Sequence, residues 1–229
     1  MAIRQPLKVS RLLAELSETH RVVLIGGLAV IAHGLSRSTK DAAAWLDPLR
    51  TPEEWSAVVS ALLEKHPQLT LQQIGTWSPF PSTDLATRIA DDRVIRIVGA
   101  DRPLDLFREP HMIPIEDFDE VWDHATEIKD GIRLPSDIHL LLTKEDTGRP
   151  HDLLDIDFLQ RKAEDRLITQ VQTSSSEALQ SIFDQFLTLR IAEAALENPH
   201  PDCQALGIKH LKELAQAGDP FAQQTLDSQ

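Results

Sequence analysis

The sequence predicts an α+β fold, a mixed sheet flanked by helices and followed by a helical C-terminal region. Three observations lead there. Short apolar or alternating runs bounded by glycine, proline and polar residues recur up to Leu134. Amphipathic helical patterns lie between those runs. Beyond His151 only helical periodicity remains. Residues 1–150 therefore read as the α+β domain and 151–229 as the helical region.

Leu7 to Thr19 predicts an opening helix with Val9, Leu12, Leu13 and Leu16 on one side. Val22 to Ile25 is a short apolar strand ended by Gly26-Gly27, and a brief helix leaves that turn and closes at Gly34. Ala42 to Leu46 is the next strand. Thr51 to Lys65 carries a helix start signal: Thr51 as cap, Pro52 in the first turn and Glu54 completing a capping box. Leu69 to Ile74 reads as a strand and Ser82 to Ala90 as a short helix. Val94 to Val98 and Leu104 to Phe107 form a hairpin around Gly99 to Arg102. A smaller hairpin turns at Asp130-Gly131, and Ser136 precedes a helix through Leu142. The last helices are expected over Asp152 to Gln170, Ser176 to Glu197 and Cys203 to Ala217, with a break at Asn198-Pro199-His200-Pro201.

Composition narrows the function. The net charge of -13 repels a long polyanion, and no basic stripe offsets it, so an extended nucleic-acid surface is not expected. No run is apolar and long enough to span a bilayer. A single cysteine, Cys203, excludes an intrachain disulfide and fits a cytoplasmic setting. The nine histidines show no zinc-ligand spacing. The apolar stripe of Leu179, Ile182, Phe183, Phe186 and Ile191 serves either a core or a contact with a protein partner or second copy.

The chemistry-bearing candidates are carboxylates on strands. Asp41 opens one strand, and Asp105 sits inside another between Leu104 and Leu106. Rigid strands can hold carboxylates for a magnesium ion, which demands oxygen ligands in tight geometry. Two such ions can activate an attacking oxygen and shield a leaving pyrophosphate. Gly26 and Gly27 could let backbone N–H groups approach phosphate, and Arg37 and Thr39 stand in the polar loop before Asp41. Each has a plainer reading: a strand-ending turn and a solvated loop. Lys144 reads equally as a phosphate contact or a surface lysine, and Asp152 and Asp155 read first as charges that stabilise a helix start.

The run Val23-Leu24-Ile25-Gly26-Gly27-Leu28-Ala29-Val30, followed by His33-Gly34, Arg37, Thr39 and Asp41, resembles the opening of the polymerase-beta-like nucleotidyltransferase superfamily. Its flavour is that of the bacterial branch containing abortive-infection toxin nucleotidyltransferases. Pro103 to Phe107, Lys144, and Gly148 to Asp155 extend the resemblance over roughly residues 20 to 160. The resemblance implies a nucleotidyltransferase-like mixed sheet, with Asp41 and Asp105 as catalytic metal ligands. It implies Gly26, Gly27, Arg37, Thr39 and Lys144 around a nucleoside triphosphate with Mg2+. The implied reaction moves a nucleoside monophosphate onto a hydroxyl of RNA, protein or a small molecule. One departure is plain: Ala43 stands where the second Asp of Asp-x-Asp belongs, and a methyl group ligates no metal. Asp47 is no substitute, lying roughly 20 Å from Asp41 at ordinary strand rise. Ala43→Asp is expected to rebuild the carboxylate pair. The alternative reading is a catalytically inactive nucleotide-binding or protein-interaction module of the same fold.

Overall fold

The computed structural model describes residues 7–48, 51–145 and 149–228, the side chain of His151 excepted. Gly148 of the stretch quoted above lies outside the described residues. The chain forms two compact units, Met1–Asp157 and Phe158–Gln229.

The first unit is built on a mixed sheet. Its strands are β1 (Val22–Ile25), β2 (Ala42–Leu46), β3 (Thr70–Gln72), β4 (Pro79–Phe80), β5 (Val94–Val98), β6 (Leu104–Phe107), β7 (Thr126–Lys129) and β8 (Ile132–Leu134). Their spatial order is β4-β3-β5-β6-β2-β1-β8-β7. β2 runs parallel to β6 and β1 parallel to β8, while β1–β2 and β5–β6 are antiparallel. This helix-flanked mixed sheet is the nucleotidyltransferase-like arrangement that the resemblance implies.

The register explains why one face closes and the other opens. Ala42, Ala44 and Leu46 of β2 share a face with Leu104 and Leu106 of β6 and Ile95 and Ile97 of β5, and all are buried. Alternate side chains point the other way. There Arg96, Asp105, Ala43 and Ile25 align in one transverse row across β5, β6, β2 and β1. Further along that face Trp45 is fully buried, donates from Nε1 to the carbonyl of Arg108 at 2.9 Å and meets Phe118 edge-on. The face is thus anchored by aromatics at one end and polar at the other.

The helices of this unit are α1 (Val9–Ser17), α2 (Gly26–Ala32), α3 (Pro52–Lys65), α4 (Leu85–Asp92), α5 (Phe118–His124) and α6 (Asp137–Leu142), with α7 (Pro150–Val171) running on into the second unit. Val9, Leu12, Leu13 and Leu16 are the buried stripe of α1, as their spacing predicts. The capping box forms: Glu54 N donates to Thr51 Oγ1, and Thr51 N donates to the Glu54 carboxylate at 2.9 Å. Asp47 lies beyond β2, bound by Arg21 at 3.0 Å.

The second unit is helical. The single helix expected over Ser176 to Glu197 is instead two, α8 (Ser176–Gln185) and α9 (Leu189–Leu196). Phe186 is extended, and Thr188 caps α9 by accepting from Ile191 N. A hydroxyl that satisfies the first-turn N–H groups stabilises a new helix start where propensity alone would continue the old one. α10 (Pro201–Gln216) follows the expected break, where buried Asn198 donates to the carbonyls of Val171 and Ser174. A further helix, α11 (Pro220–Asp227), starts at an Asp219 cap with Pro220 in its first turn.

Candidate functional site

Asp41 stands one residue before β2 and Asp105 lies in the neighbouring β6, so the parallel pairing brings the two expected carboxylates together. What joins them is an arginine. Arg96 of β5, the ladder partner of Asp105, donates from Nε to Asp105 Oδ1 at 2.6 Å and from Nη2 to Asp105 Oδ2 at 2.7 Å. The same Nη2 reaches Asp41 Oδ2 at 3.1 Å. Thr39 Oγ1 donates to the remaining oxygen, Asp41 Oδ1, at 3.1 Å. Each of the four carboxylate oxygens therefore accepts a hydrogen bond from the protein. Trp77 covers the guanidinium, its ring centroid 4.3 Å from the Arg96 carbon.

Burial pushes the Asp105 carboxyl above its ordinary range, with Arg96 opposing. The hydrogen bonds to Asp105 hold the Arg96 guanidinium above its own. The two directions pull differently on one pair. The two-pronged geometry, with both Asp105 oxygens accepting, is that of an ionised carboxylate.

A second cluster lies beside the first. Arg37 Nη2 contacts Asp155 Oδ2 at 2.6 Å, and Lys144 Nζ contacts Asp152 Oδ1 at 2.8 Å and Asp155 Oδ2 at 3.0 Å. Lys144, Asp152 and Asp155 are buried, so Lys144 is no surface lysine and the two aspartates do more than favour a helix start. Among the described residues, the buried Asp155 Oδ1 and Arg37 Nε find no hydrogen-bond partner.

The glycine turn sits against both clusters. Gly26 has φ +66°, and a Cβ there would come within 2.9 Å of the Ala43 methyl. At Gly27 a Cβ would meet Thr39 Oγ1 at 2.8 Å and Arg37 Nη2 at 2.9 Å. The missing side chains are what let loop 37–41 lie on the turn. Gly26, Gly27, Arg37, Thr39, Asp41, Ala43, Asp105, Lys144, Arg149 and Asp152 all line one cleft of about 180 Å³. Ligand pockets commonly run from about 300 Å³ upwards, so this one is tight. A larger cavity of about 1070 Å³, bordered by α1 and α2, contains none of these residues. His33 is occupied elsewhere, its Nε2 at 2.9 Å from the carbonyl of Pro135.

The residues present do not fit a magnesium ion. Ala43 offers no oxygen, and both remaining carboxylates are engaged by Arg96. Among the described residues no three His, Cys, Asp or Glu side chains gather as a metal site. Every site residue expected from sequence thus lines the cleft; Arg96 is the residue that sequence reasoning left as an ordinary strand position. Its signal was the hairpin itself. An arginine inside Val94-Ile95-Arg96-Ile97-Val98 faces whatever its ladder partner faces, and that partner is Asp105.

No protein-family model matches this chain, and no curated protein does. Among solved structures it is similar to a crystal structure of a provisionally named nucleotidyltransferase from H. pylori, at 16% identity over 92% of this chain and 95% of that one, with a TM-score of 0.37. It is also similar to terminal uridylyl transferase 4 from Trypanosoma brucei with bound GTP, at 11% identity over 95% of this chain and 69% of that one, with a TM-score of 0.32. At such scores neither likeness assigns a role to any residue here.

Proposed function

We propose that this chain is a nucleotidyltransferase-like protein of the polymerase-beta-like superfamily that binds the phosphates of a nucleotide without carrying out nucleotidyl transfer. The observation that carries the binding half is the Gly27 cradle: turn, Arg37 guanidinium and Thr39 hydroxyl meet at distances that a single Cβ would disrupt. Lys144 and Arg149 line the same cleft and supply further positive charge. Arg37 and Lys144 already hold Asp155 and Asp152, so a phosphate must compete with buried carboxylates for them. Binding is therefore weak. The transfer half fails on chemistry. Moving a nucleoside monophosphate to a hydroxyl of RNA, protein or a small molecule calls for carboxylates open to metal, and this chain has Ala43 and two arginine-bound aspartates instead. The narrower placement among abortive-infection toxin nucleotidyltransferases rests on the glycine-to-aspartate motif alone.

Calorimetric titration with ATP, GTP, CTP and UTP in metal-free buffer tests this reading. At least one is expected to bind in the micromolar-to-millimolar range, and Gly27→Ala is expected to abolish that binding. A Cβ at 27 also presses on Thr39 Cβ at 3.0 Å and on the Arg37 that pairs with buried Asp155, so a lowered melting temperature is expected, and circular dichroism at the titration temperature checks that the variant is folded. No heat from any nucleotide at millimolar concentration would leave a protein-interaction scaffold as the better reading.

A further inference from the structure

We infer that Arg96 is a built-in cation occupying the place between Asp41 and Asp105 where a divalent ion would sit, so that the cleft excludes metal and takes its nucleotide in the metal-free form. The exclusion of metal stands on the geometry alone; the preference for metal-free nucleotide rests on the binding reading above.

Four observations support the assignment. Arg96 engages both oxygens of Asp105 and one of Asp41, and Thr39 takes the last, so every oxygen a metal would use already accepts a protein hydrogen bond and a guanidinium charge lies between the two carboxylates. The position is fixed by the β5–β6 ladder, which pairs Arg96 directly with Asp105. The guanidinium is held from a further side by Trp77, and only 15% of the Arg96 side chain is exposed. Finally, Ala43 lies next to Asp105 in the same transverse row. An aspartate introduced at 43 would add a third carboxylate beside a guanidinium already in place. Arginine presents several donors in a planar fork and can serve more than one carboxylate at once. Ala43→Asp alone therefore strengthens the grip on Arg96 rather than opening a metal site. This revises the expectation from sequence that the one substitution suffices.

The test is Mn2+ binding, followed by the loss of the free-ion electron paramagnetic resonance signal, in four folded proteins: the natural chain, Ala43→Asp, Arg96→Met, and Ala43→Asp with Arg96→Met. The natural chain and Ala43→Asp are expected to bind no Mn2+ below millimolar concentration, and the double variant at least tenfold more tightly than Ala43→Asp. If Ala43→Asp alone binds as tightly as the double variant, Arg96 excludes nothing and the inference fails. Should the double variant not fold, Ala43→Asp with Arg96→Gln replaces it. A glutamine amide can still donate to Asp105 but carries no charge, so this pair should still bind at least tenfold more tightly than Ala43→Asp. Equal affinity there also overturns the inference. In the second arm, added Mg2+ is expected to weaken ATP binding to the natural chain, and tightening would overturn the metal-free preference. Absence of any ATP binding would sink the nucleotide reading and that preference with it, while the Mn2+ result still decides the role of Arg96.

Discussion

Removing the Arg96 guanidinium should destabilise the protein in a way that depends on pH with a defined sign. In Arg96→Met the side chain keeps most of its bulk under Trp77 but donates nothing to Asp105 or Asp41. Asp105 is 9% exposed and would be left as a buried carboxylate without its two shortest partners. Breaking a buried pair from one side costs about 3–5 kcal/mol. Asp41, with 43% of its side chain exposed, is rehydrated readily, so the lower end, about 3 kcal/mol, applies. Burial already raises the Asp105 pKa and Arg96 opposes it, so the variant's Asp105 titrates higher still. A carboxyl whose folded pKa lies above its unfolded value favours the folded state at low pH and loses that advantage as pH rises through the folded pKa. The deficit against the natural chain should therefore be largest at pH 8 and shrink toward pH 5. Urea unfolding followed by circular dichroism at the two pH values measures it. Repeating the substitution in an Asp105→Asn background should reduce its cost to below about 1 kcal/mol, since no carboxylate is left stranded. A deficit under about 0.5 kcal/mol at pH 8, or one that does not change with pH, would refute the claim that Arg96 serves mainly to hold a buried anion.

Two further outcomes are expected. Lys144→Met removes a cation from buried Asp152 and leaves Asp155 with Arg37, and should cost about 3 kcal/mol, the lower end for a buried pair broken from one side. That is a fall of at least about 6 °C in Tm for a chain of this size; a shift under 2 °C, by the same scaling, would mean that Lys144 is not a structural cation. At Glu15 burial raises the carboxyl pKa, but the hydrogen bonds from His66, Arg11 and Lys65 together outweigh it and bring it from 4.5 to about 2. Such a depressed pKa gives stability that is full above the unfolded value and is lost as pH falls through the folded one. Glu15→Gln should therefore cost about 1–3 kcal/mol at pH 7, with the gap to the natural chain closing between pH 4.5 and 2 in urea melts.

The parts of this molecule that sequence resolves well are those whose cause is local. β1, β2, β5 and β6 fall on the residues where short apolar or alternating runs predict them, because the buried face of the sheet imposes that pattern on each strand by itself. The capping box of α3 is likewise complete within four residues. β4 is only two residues long and leaves no periodic trace. The α8–α9 break turns on one hydroxyl, which competes with a continuous apolar stripe that reads as uninterrupted. The site divides on the same line. Asp41 and Asp105 are recognisable from strand position. Lys144 lies between Thr143 and Glu145 and looks solvated until α7 brings Asp152 and Asp155 against it. Arg96 acquires meaning only from the residue across the ladder.

The two ion-pair clusters meet in loop 37–41, and this gives the cleft its character. Arg37 belongs to the cluster with Asp155 and Lys144, while Thr39 and Asp41 belong to the cluster with Arg96. Gly27 packs on Arg37 and Thr39 together, so anything seated on the glycine turn touches both clusters at once. Asp41, Asp105 and Asp152 line the small cavity together with Arg37, Lys144 and Arg149, while Arg96 and Asp155 are bonded to members of that lining. A divalent cation entering this cleft faces carboxylate oxygens that already accept hydrogen bonds and a guanidinium of like charge. A phosphate faces the opposite situation. Cationic donors are present, and exposed Arg149 lies at the start of α7, where N–H groups favour negative charge. On the phosphate-binding reading proposed above, the cleft takes an anion and holds it weakly, because each buried cation is shared with an aspartate.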